Sequence, residues 1–329
     1  MDQGLKKLKL RQSTVDPCVY YSGKMVLLSF VYDVIVCCPK RQDAQLLVEQ
    51  LRDQGYEVGD TEEVSDYLGV KVQQLKDGTI ALTQPHLINS IIKDLHLNHL
   101  TTKSAKTPAS STAPLRKDPE GIAFDGDFDY RLVVGKLNFL EKSTRPDICL
   151  ATHQCAKFSS DLKKLHGIAV KRIGQYLVGT ADKGLILTPN TTSSFDCWVD
   201  ASFSGDWDKD IAMDDPSAAK LQTGYLISYK KCPLVWSSKM QTEIALSTGE
   251  AEYIALSQAT REVIPMMGLY KMPSRLDIKH LKFIQQFIAN CLKTTLLHMN
   301  WPRSQRFAHE QSISTLNITT FGNLFVMAP

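Results

Sequence analysis

Two stretches in the second half of the chain decide the fold: CWVDASF at residues 197–203 and LSTGEAEYIAL at residues 246–256. The first places Asp200 inside an apolar run typical of a β-strand. Burial of an unpaired carboxylate is costly, so we expect a cation or a hydrogen-bond donor beside it. In the second stretch, Ser247 and Glu250 form a capping box that opens a helix. Glu252 is then the helix carboxylate available to a functional site.

The first half of the chain predicts hairpins and amphipathic helices. Residues 25–38 read as a β-hairpin that bends at Tyr32 and Asp33, and residues 41–52 read as a helix that Gly55 stops. Residues 67–84 predict a second hairpin with its turn at Asp77 and Gly78, and residues 85–97 predict a helix. This half of the chain is therefore α/β in character.

A polar linker separates this part from the rest. Residues 101–121 are rich in Ser, Thr, Pro and Lys and poor in large apolar side chains, which places a boundary near them. Two or three helices are expected over residues 130–177, and strands resume near Leu185.

Composition limits the protein class without defining it. At 329 residues the chain can form two globular domains, and a net charge of +3 permits nucleic-acid binding without arguing for it. The eight Cys include no C-x-x-C pair, so we interpret them as reduced thiols of an intracellular protein, cytoplasmic or nuclear, rather than as zinc ligands. No membrane segment is predicted.

Five motifs carry a resemblance to a known family, in the family's order. The chain resembles the reverse transcriptase and ribonuclease H parts of copia-type LTR retrotransposon polyproteins at DPCVYY (16–21), YLGVKV (67–72), LTQPHLINSII (82–92), GKLNFLEKSTRPDICLATHQCAKFS (135–159) and SSKMQTEIALSTGEAEYIALS (237–257). The resemblance implies an α/β (α+β) fold. Its expected parts are a reverse transcriptase palm/thumb remnant (1–100), a linker (101–129), a helical connector (130–190), a partial ribonuclease H-like domain with a mixed sheet and helices (191–269), and a poorly ordered tail (270–329).

The resemblance also implies catalytic roles. Asp200 and Glu252 match the ribonuclease H carboxylates that bind Mg²⁺, and the partners would be RNA:DNA hybrids or single-stranded RNA or DNA. Family members carry two consecutive Asp in the hairpin that FVYDV (30–34) occupies, but Tyr32 replaces the first here and only Asp33 remains. We expect the other polymerase Asp upstream of Met1. Clustered carboxylates are needed to hold two Mg²⁺, so we expect no polymerase activity.

After Leu269 the resemblance stops, and the genetic code offers a reason. If each codon's last base is read with the next two bases, Asn290-Cys291 must give Leu and Trp301-Pro302 must give Ala. Lys293-Thr294-Thr295 then permits the Asp-Asn pair of the family. We therefore hypothesise a frameshift between about residues 269 and 285, which removes a third ribonuclease H carboxylate.

Three interpretations of function remain open. The first is an inactive polyprotein fragment, ancestrally an RNA-directed DNA polymerase and hybrid ribonuclease. The second is residual metal-dependent ribonuclease activity at Asp200 and Glu252. The third is a nucleic-acid-binding relic that uses the basic residues Lys163, Lys164, Lys171 and Arg172, although these also suit an ordinary solvated helix face.

Overall fold

The chain divides into two compact units. The computed structural model describes residues 2–23, 25–30, 33–59, 61–110, 115–188, 195–202, 220–229, 231–274 and 324–327. Unit one comprises residues 1–67, 76–78 and 264–329, and unit two comprises residues 68–75 and 79–263. The fold class is mixed α and β, which confirms the predicted α/β (α+β) class. The domain boundary that the sequence places near residues 101–121 stays a prediction.

Unit one is a sheet with helices. Its strands are β1 (Arg11–Gln12), β2 (Val19–Tyr21), β3 (Val26–Phe30), β4 (Asp33–Cys37), β5 (Thr61–Glu63) and, from the far end of the chain, β13 (Leu324–Met327). The strand order is β1-β2-β3-β4-β13-β5. The helices are α1 (Asp2–Lys7) and α2 (Arg41–Asp53).

The hairpin and helix predicted for this unit are confirmed. Strands β3 and β4 pair antiparallel, with Phe30 opposite Asp33, and the bend residues 31 and 32 lie outside the described residues. Helix α2 ends before Gly55, whose φ of +86° is a conformation that favours glycine. The apolar side of α2, including Leu47 and Leu51, packs in one core with Leu27 of β3 and Val36 of β4.

The tail contains regular structure that the sequence did not predict. Leu324–Met327 forms β13, which pairs parallel with β4 and with β5. We expected no strand because Thr315–Pro329 lacks alternation, but a strand between two parallel neighbours reads as a continuous apolar run, as LFVM does. Residues 275–323 lie outside the described residues.

Two sheets contribute to unit two. After the short β6 (Asp66–Tyr67), β7 (Val70–Gln74) and β8 (Ile80–Thr83) form the predicted hairpin, and Gly78 has a φ of +81° in its turn. Strand β9 (Leu185–Leu187) adds to β8, where the sequence predicted that strands resume. The second sheet is antiparallel, in the order β10 (Phe195–Ala201), β11 (Gln222–Tyr229) and β12 (Cys232–Met240).

Helices form the main core of unit two. They are α3 (Pro85–Asp94), α4 (Tyr130–Ser143), a 3₁₀ turn (Pro146–Ile148), α5 (Cys149–Ala156) and α6 (Lys164–Val178). This confirms the helix predicted at residues 85–97 and the two or three helices predicted over residues 130–177. Ile91, Leu137, Ile148 and Ile173 meet in its centre, fully buried. The last helix, α7, spans Thr248–Ser274. None of the described helices has the length and apolar content that crossing a membrane requires.

A buried arginine joins these helices. Arg145 follows α4 and is 1% exposed. Its Nε and Nη2 donate to the two carboxylate oxygens of Asp147 at 2.9 and 2.8 Å, and Nη1 donates to the carbonyl oxygen of Thr180 at 2.9 Å. Nη2 also reaches Thr180 Oγ1, and the guanidinium lies 5.6 Å from the ring centre of Tyr176. The turn after α4 and the end of α6 are thus tied by one side chain.

The carboxylate of Asp147 reflects this pairing. Burial by itself would raise the pKa of Asp147, but the hydrogen bonds and charge of Arg145 and the hydroxyl of Tyr176 lower it below the usual range. Because the pKa of Asp147 is lowered in the folded state, its ionised carboxylate contributes to the free energy of unfolding above the unfolded pKa of about 3.9. This contribution is lost as the pH falls through the folded-state pKa of Asp147.

Removing this arginine should destabilise unit two strongly. Arg145→Met leaves the Thr180 carbonyl without its side-chain donor and Asp147 with the Tyr176 hydroxyl, which should cost about 1–3 kcal/mol. Urea unfolding followed by circular dichroism measures the loss. Arg131→Met is the matched control because Arg131 is exposed and makes one hydrogen bond to the Ser159 carbonyl. Equal effects of the two substitutions would contradict the role of Arg145.

Candidate functional site

The strand that carries Asp200 and the helix that carries Glu252 meet at a small apolar cluster. Ala201, which follows Asp200, packs with Leu221 and Ala245 in the cluster that also contains Ala251, the neighbour of Glu252. Asp200 itself lies opposite Gly224 in the pairing of β10 with β11. The structure therefore brings the two segments predicted to hold the site into one neighbourhood.

A buried glutamine fixes this arrangement. Gln241, at the end of β12, is 1% exposed. Its amide nitrogen donates to Thr223 Oγ1 at 3.0 Å and to the carbonyl oxygen of Ala251 at 2.9 Å. Since Thr223 pairs directly with Ala201, one amide group joins the end of β10, strand β11 and the first turn of α7.

Asp200 does not have the environment that the sequence predicted. The side chain is exposed, as is that of Trp198 two residues earlier at 66%. The apolar run suggested burial, but alternate side chains of a strand point to opposite faces, and residues 198 and 200 share an exposed face. Asp200 therefore has no burial cost that a cation or hydrogen-bond donor must offset.

The start of α7 follows the prediction with one change. The backbone N–H of Glu250 donates to Ser247 Oγ at 3.2 Å, as a capping box requires. The Glu250 carboxylate accepts from the backbone N–H of Leu246 at 2.7 Å, one residue before the expected donor. Glu250 is thus occupied in capping, and Glu252 is exposed on the first turns of the helix.

The described carboxylates do not complete a two-magnesium site. Among the described residues, neither Asp200 nor Glu252 belongs to a set of three side chains whose metal-binding atoms lie close together. Two Mg²⁺ bring four positive charges, against two negative charges from this pair. Asp200 and Glu252 are therefore only part of the ligand set that magnesium would need.

Asp33, which the sequence predicts as the remaining polymerase carboxylate, lies at the start of β4 and is half-buried. Burial raises the pKa of Asp33, and no cationic neighbour offsets this effect among the described residues. Tyr32 lies outside the described residues. The environment of Asp33 thus disfavours the ionised form that a metal ligand must adopt.

The basic residues of α6 do not form an open patch. Lys171 forms an ion pair with Asp127, and Arg172 donates to the carbonyl oxygen of Thr107 at 3.1 Å. Lys163 Nζ donates to the carbonyl oxygen of Pro119 at 3.2 Å, whereas Lys164 is exposed. Three of the four side chains thus hold the polar linker against α6.

One constellation was missed by the sequence interpretation. Within the described residues, Glu141, Cys149 and His153 form a set whose metal-binding atoms all lie within 4.8 Å of one another. Cys149 and His153 are four residues apart on α5, which puts both on one helix face. This spacing was visible in the sequence, but Glu141 on α4 could not be linked to it without the packing of the two helices.

The thiols otherwise behave as predicted. All seven described cysteines are outside disulfide bonds, and Cys37, Cys38, Cys149, Cys155 and Cys232 are buried. Burial raises the pKa of the Cys155 thiol to about 12, which keeps it protonated and unreactive at neutral pH.

Known proteins similar to this chain include retroelement polyproteins. The chain is 29% identical over 249 residues to the retrovirus-related Pol polyprotein from transposon RE1 of Arabidopsis thaliana, covering 74% of this chain and 16% of that protein. It is 28% identical over 276 residues to the Pol polyprotein from transposon TNT 1-94 of Nicotiana tabacum, covering 80% of this chain and 20% of that protein. The chain thus spans a fifth or less of these polyproteins.

A shorter protein is similar to part of the chain. The secreted RxLR effector protein 161 of Plasmopara viticola is 34% identical over 135 residues, which is 41% of this chain and 89% of that protein. No family model matches, and no solved structure matches.

The mixed α/β fold and these relatives define the class of protein as a segment of a transposable-element polyprotein. The chain is similar to the retrovirus-related Pol polyproteins of transposons over about three quarters of its length, in agreement with the resemblance of its motifs to copia-type elements.

The state of Asp33 can be tested by its effect on stability. Burial raises the pKa of Asp33 in the folded state above the unfolded value of about 3.9. The contribution of Asp33 to the free energy of unfolding is therefore fully present below about pH 3.9 and is lost as the pH rises through the folded-state pKa. Asp33→Asn should therefore raise the urea midpoint at pH 7, and the gain should shrink as pH falls to about 4.

The control is Glu49→Gln, which removes one exposed carboxylate from α2 of the same unit. A lower midpoint for Asp33→Asn than for the parent chain at pH 7 would show that the ionised carboxylate stabilises the fold, and would contradict a raised pKa of Asp33.

Proposed function

We propose that the chain is a non-catalytic descendant of a reverse transcriptase and ribonuclease H. Its parts would be a polymerase palm/thumb remnant, the helical connector and a partial ribonuclease H-like domain. The strand order β10-β11-β12 followed by α7, with Asp200 and Glu252 on neighbouring segments, supports the ribonuclease H assignment. The names of the relatives as Pol polyproteins agree with it.

The observation that carries the loss of catalysis is the incomplete set of carboxylates. In the polymerase hairpin, Tyr32 stands where the family has Asp, and a phenol with a pKa near 10 supplies no charge at neutral pH. In the ribonuclease H-like part, Asp200 and Glu252 are the two candidate ligands, and both are exposed. Removal of even one preorganised electrostatic group typically lowers a rate by about 10²- to 10³-fold.

Magnesium, where bound in such a site, activates the attacking water and neutralises the leaving phosphate. This chain's own contribution would be limited to two functions. Gln241 would hold the end of β10 beside the first turn of α7, and Asp200 and Glu252 would share one cation without enclosing it. Hydrolysis of RNA in an RNA:DNA hybrid would then be slow and would depend on high metal concentration.

Binding without cleavage is the second candidate, and one observation limits it. Lys171 is ion-paired, and Arg172 and Lys163 donate to backbone carbonyls within unit two, so three of the four basic side chains have donors occupied that phosphates would use. Exposed Trp198 and Tyr253, close in the chain to Asp200 and Glu252, offer aromatic surface on which bases of a single strand could stack. Such binding would be weak and sensitive to salt.

Hybrid cleavage is the direct test. The purified chain should cleave a labelled RNA:DNA hybrid no faster than buffer in millimolar Mg²⁺, because the ligand set is incomplete. Any activity at high Mn²⁺ should disappear in both Asp200→Asn and Glu252→Gln. Glu243→Gln, an exposed carboxylate just before α7, should leave that residual activity unchanged.

Robust cleavage in millimolar Mg²⁺ that Asp200→Asn abolishes would overturn the proposal and establish an active nuclease. Residual activity that survives both substitutions would indicate a contaminating nuclease, and the chain itself would then be inactive as proposed.

A further inference from the structure

Glu141 is a buried carboxylate with an unsatisfied oxygen. It lies near the end of α4 and is 1% exposed, and its Oε1 lies 3.2 Å from His153 Nε2. Its second oxygen, Oε2, is buried and has no hydrogen-bond partner. A buried carboxylate oxygen without a partner costs free energy, which points to a ligand that supplies the missing positive charge.

The Cys149 thiol and the His153 ring are the neighbours that could share such a ligand. Both lie on α5 one turn apart, and their metal-binding atoms lie within 4.8 Å of each other and of the Glu141 carboxylate. A tetrahedral zinc ion with bonds of about 2.0–2.3 Å separates its ligand atoms by roughly 3.3–3.8 Å. The separation of 3.2 Å between His153 Nε2 and Glu141 Oε1 is already near this range, and small side-chain rotations bring in the sulfur.

The backbone at this site is held in place. The indole Nε1 of Trp236, on β12, donates to the carbonyl oxygen of Glu141 at 2.9 Å. This bond satisfies one of the last carbonyls of α4, which lack partners within the helix. Since α4 and α5 are joined by the turn that Arg145 anchors, the three side chains start from a fixed scaffold.

We propose that Glu141, Cys149 and His153 bind one zinc ion. One carboxylate and one thiolate balance the two positive charges of Zn²⁺, so the occupied site is neutral, as burial requires. Binding releases the thiol proton of Cys149 to solvent, and His153 binds as the neutral imidazole, so that the ion replaces the contact between His153 Nε2 and Glu141 Oε1. His153 is 19% exposed and provides the route of entry. Sulfur and imidazole ligands favour Zn²⁺ over Mg²⁺, so this site is independent of the nuclease carboxylates.

Cobalt is the probe because it reports on the sulfur ligand. The reduced, chelator-treated full chain is titrated with Co²⁺ and should show a near-ultraviolet sulfur-to-cobalt charge-transfer band that saturates at one equivalent. Zn²⁺ should then remove the band, since zinc binds such ligands more tightly than cobalt. Cys149→Ser should lose the band, and His153→Gln and Glu141→Gln should weaken binding by at least about tenfold.

Two controls exclude adventitious binding. Cys197→Ser removes an exposed thiol, and His99→Gln removes an exposed imidazole, and both should bind Co²⁺ like the parent chain. Circular dichroism checks folding. His153→Gln, at the partly exposed edge of the site, decides the test if Cys149→Ser does not fold. Absence of the band in the parent chain, or its loss in Cys197→Ser with retention in His153→Gln, would overturn the proposal and leave Glu141 and His153 as a simple hydrogen-bonded pair.

Discussion

The buried guanidinium of Arg145 is the interaction on which the organisation of unit two depends. It satisfies the carbonyl of Thr180 at the end of α6 and both oxygens of Asp147 in the turn between α4 and α5. A neutral side chain could not replace these bonds, and lysine lacks the planar fork that makes two of them parallel. The backbone positions of Glu141 and Cys149, on either side of this turn, follow from it. Arg145 thus links the turn between α4 and α5 to the end of α6.

Packing and amide hydrogen bonds, and not the carboxylates of Asp200 and Glu252, hold β10, β11 and the first turn of α7 together. Gln241, Thr223 and the apolar cluster around Ala251 fix the positions of Asp200 and Glu252, although both acids are exposed. A charge can therefore be lost from such a site with little effect on the fold. This separation is what the proposed loss of catalysis would need, because the fold of this part does not rest on the charges of Asp200 and Glu252.

Local patterns predicted the elements well, because each rests on a few neighbouring residues. The hairpins around Asp33 and Gly78, helix α2 and the Ser247 cap all follow from turn residues and apolar spacing. Contacts between distant segments were not predictable. The exposure of Asp200 depends on which face of the sheet is covered. The pairing of Lys171 with Asp127 depends on the path of the linker. The cluster of Glu141, Cys149 and His153 depends on how α4 packs against α5. Strand β13 was missed because its pairing with β4 and β5 uses backbone groups, which the side-chain pattern of the tail does not reveal.

Calorimetric titration of the full chain with Mg²⁺ tests most directly the proposal that Asp200 and Glu252 do not form a magnesium site in this chain. We expect no saturable heat in the low millimolar range, and the same trace for the parent chain, Asp200→Asn and Glu252→Gln. Saturable binding of two Mg²⁺ per chain that either substitution abolishes would contradict the loss of the site.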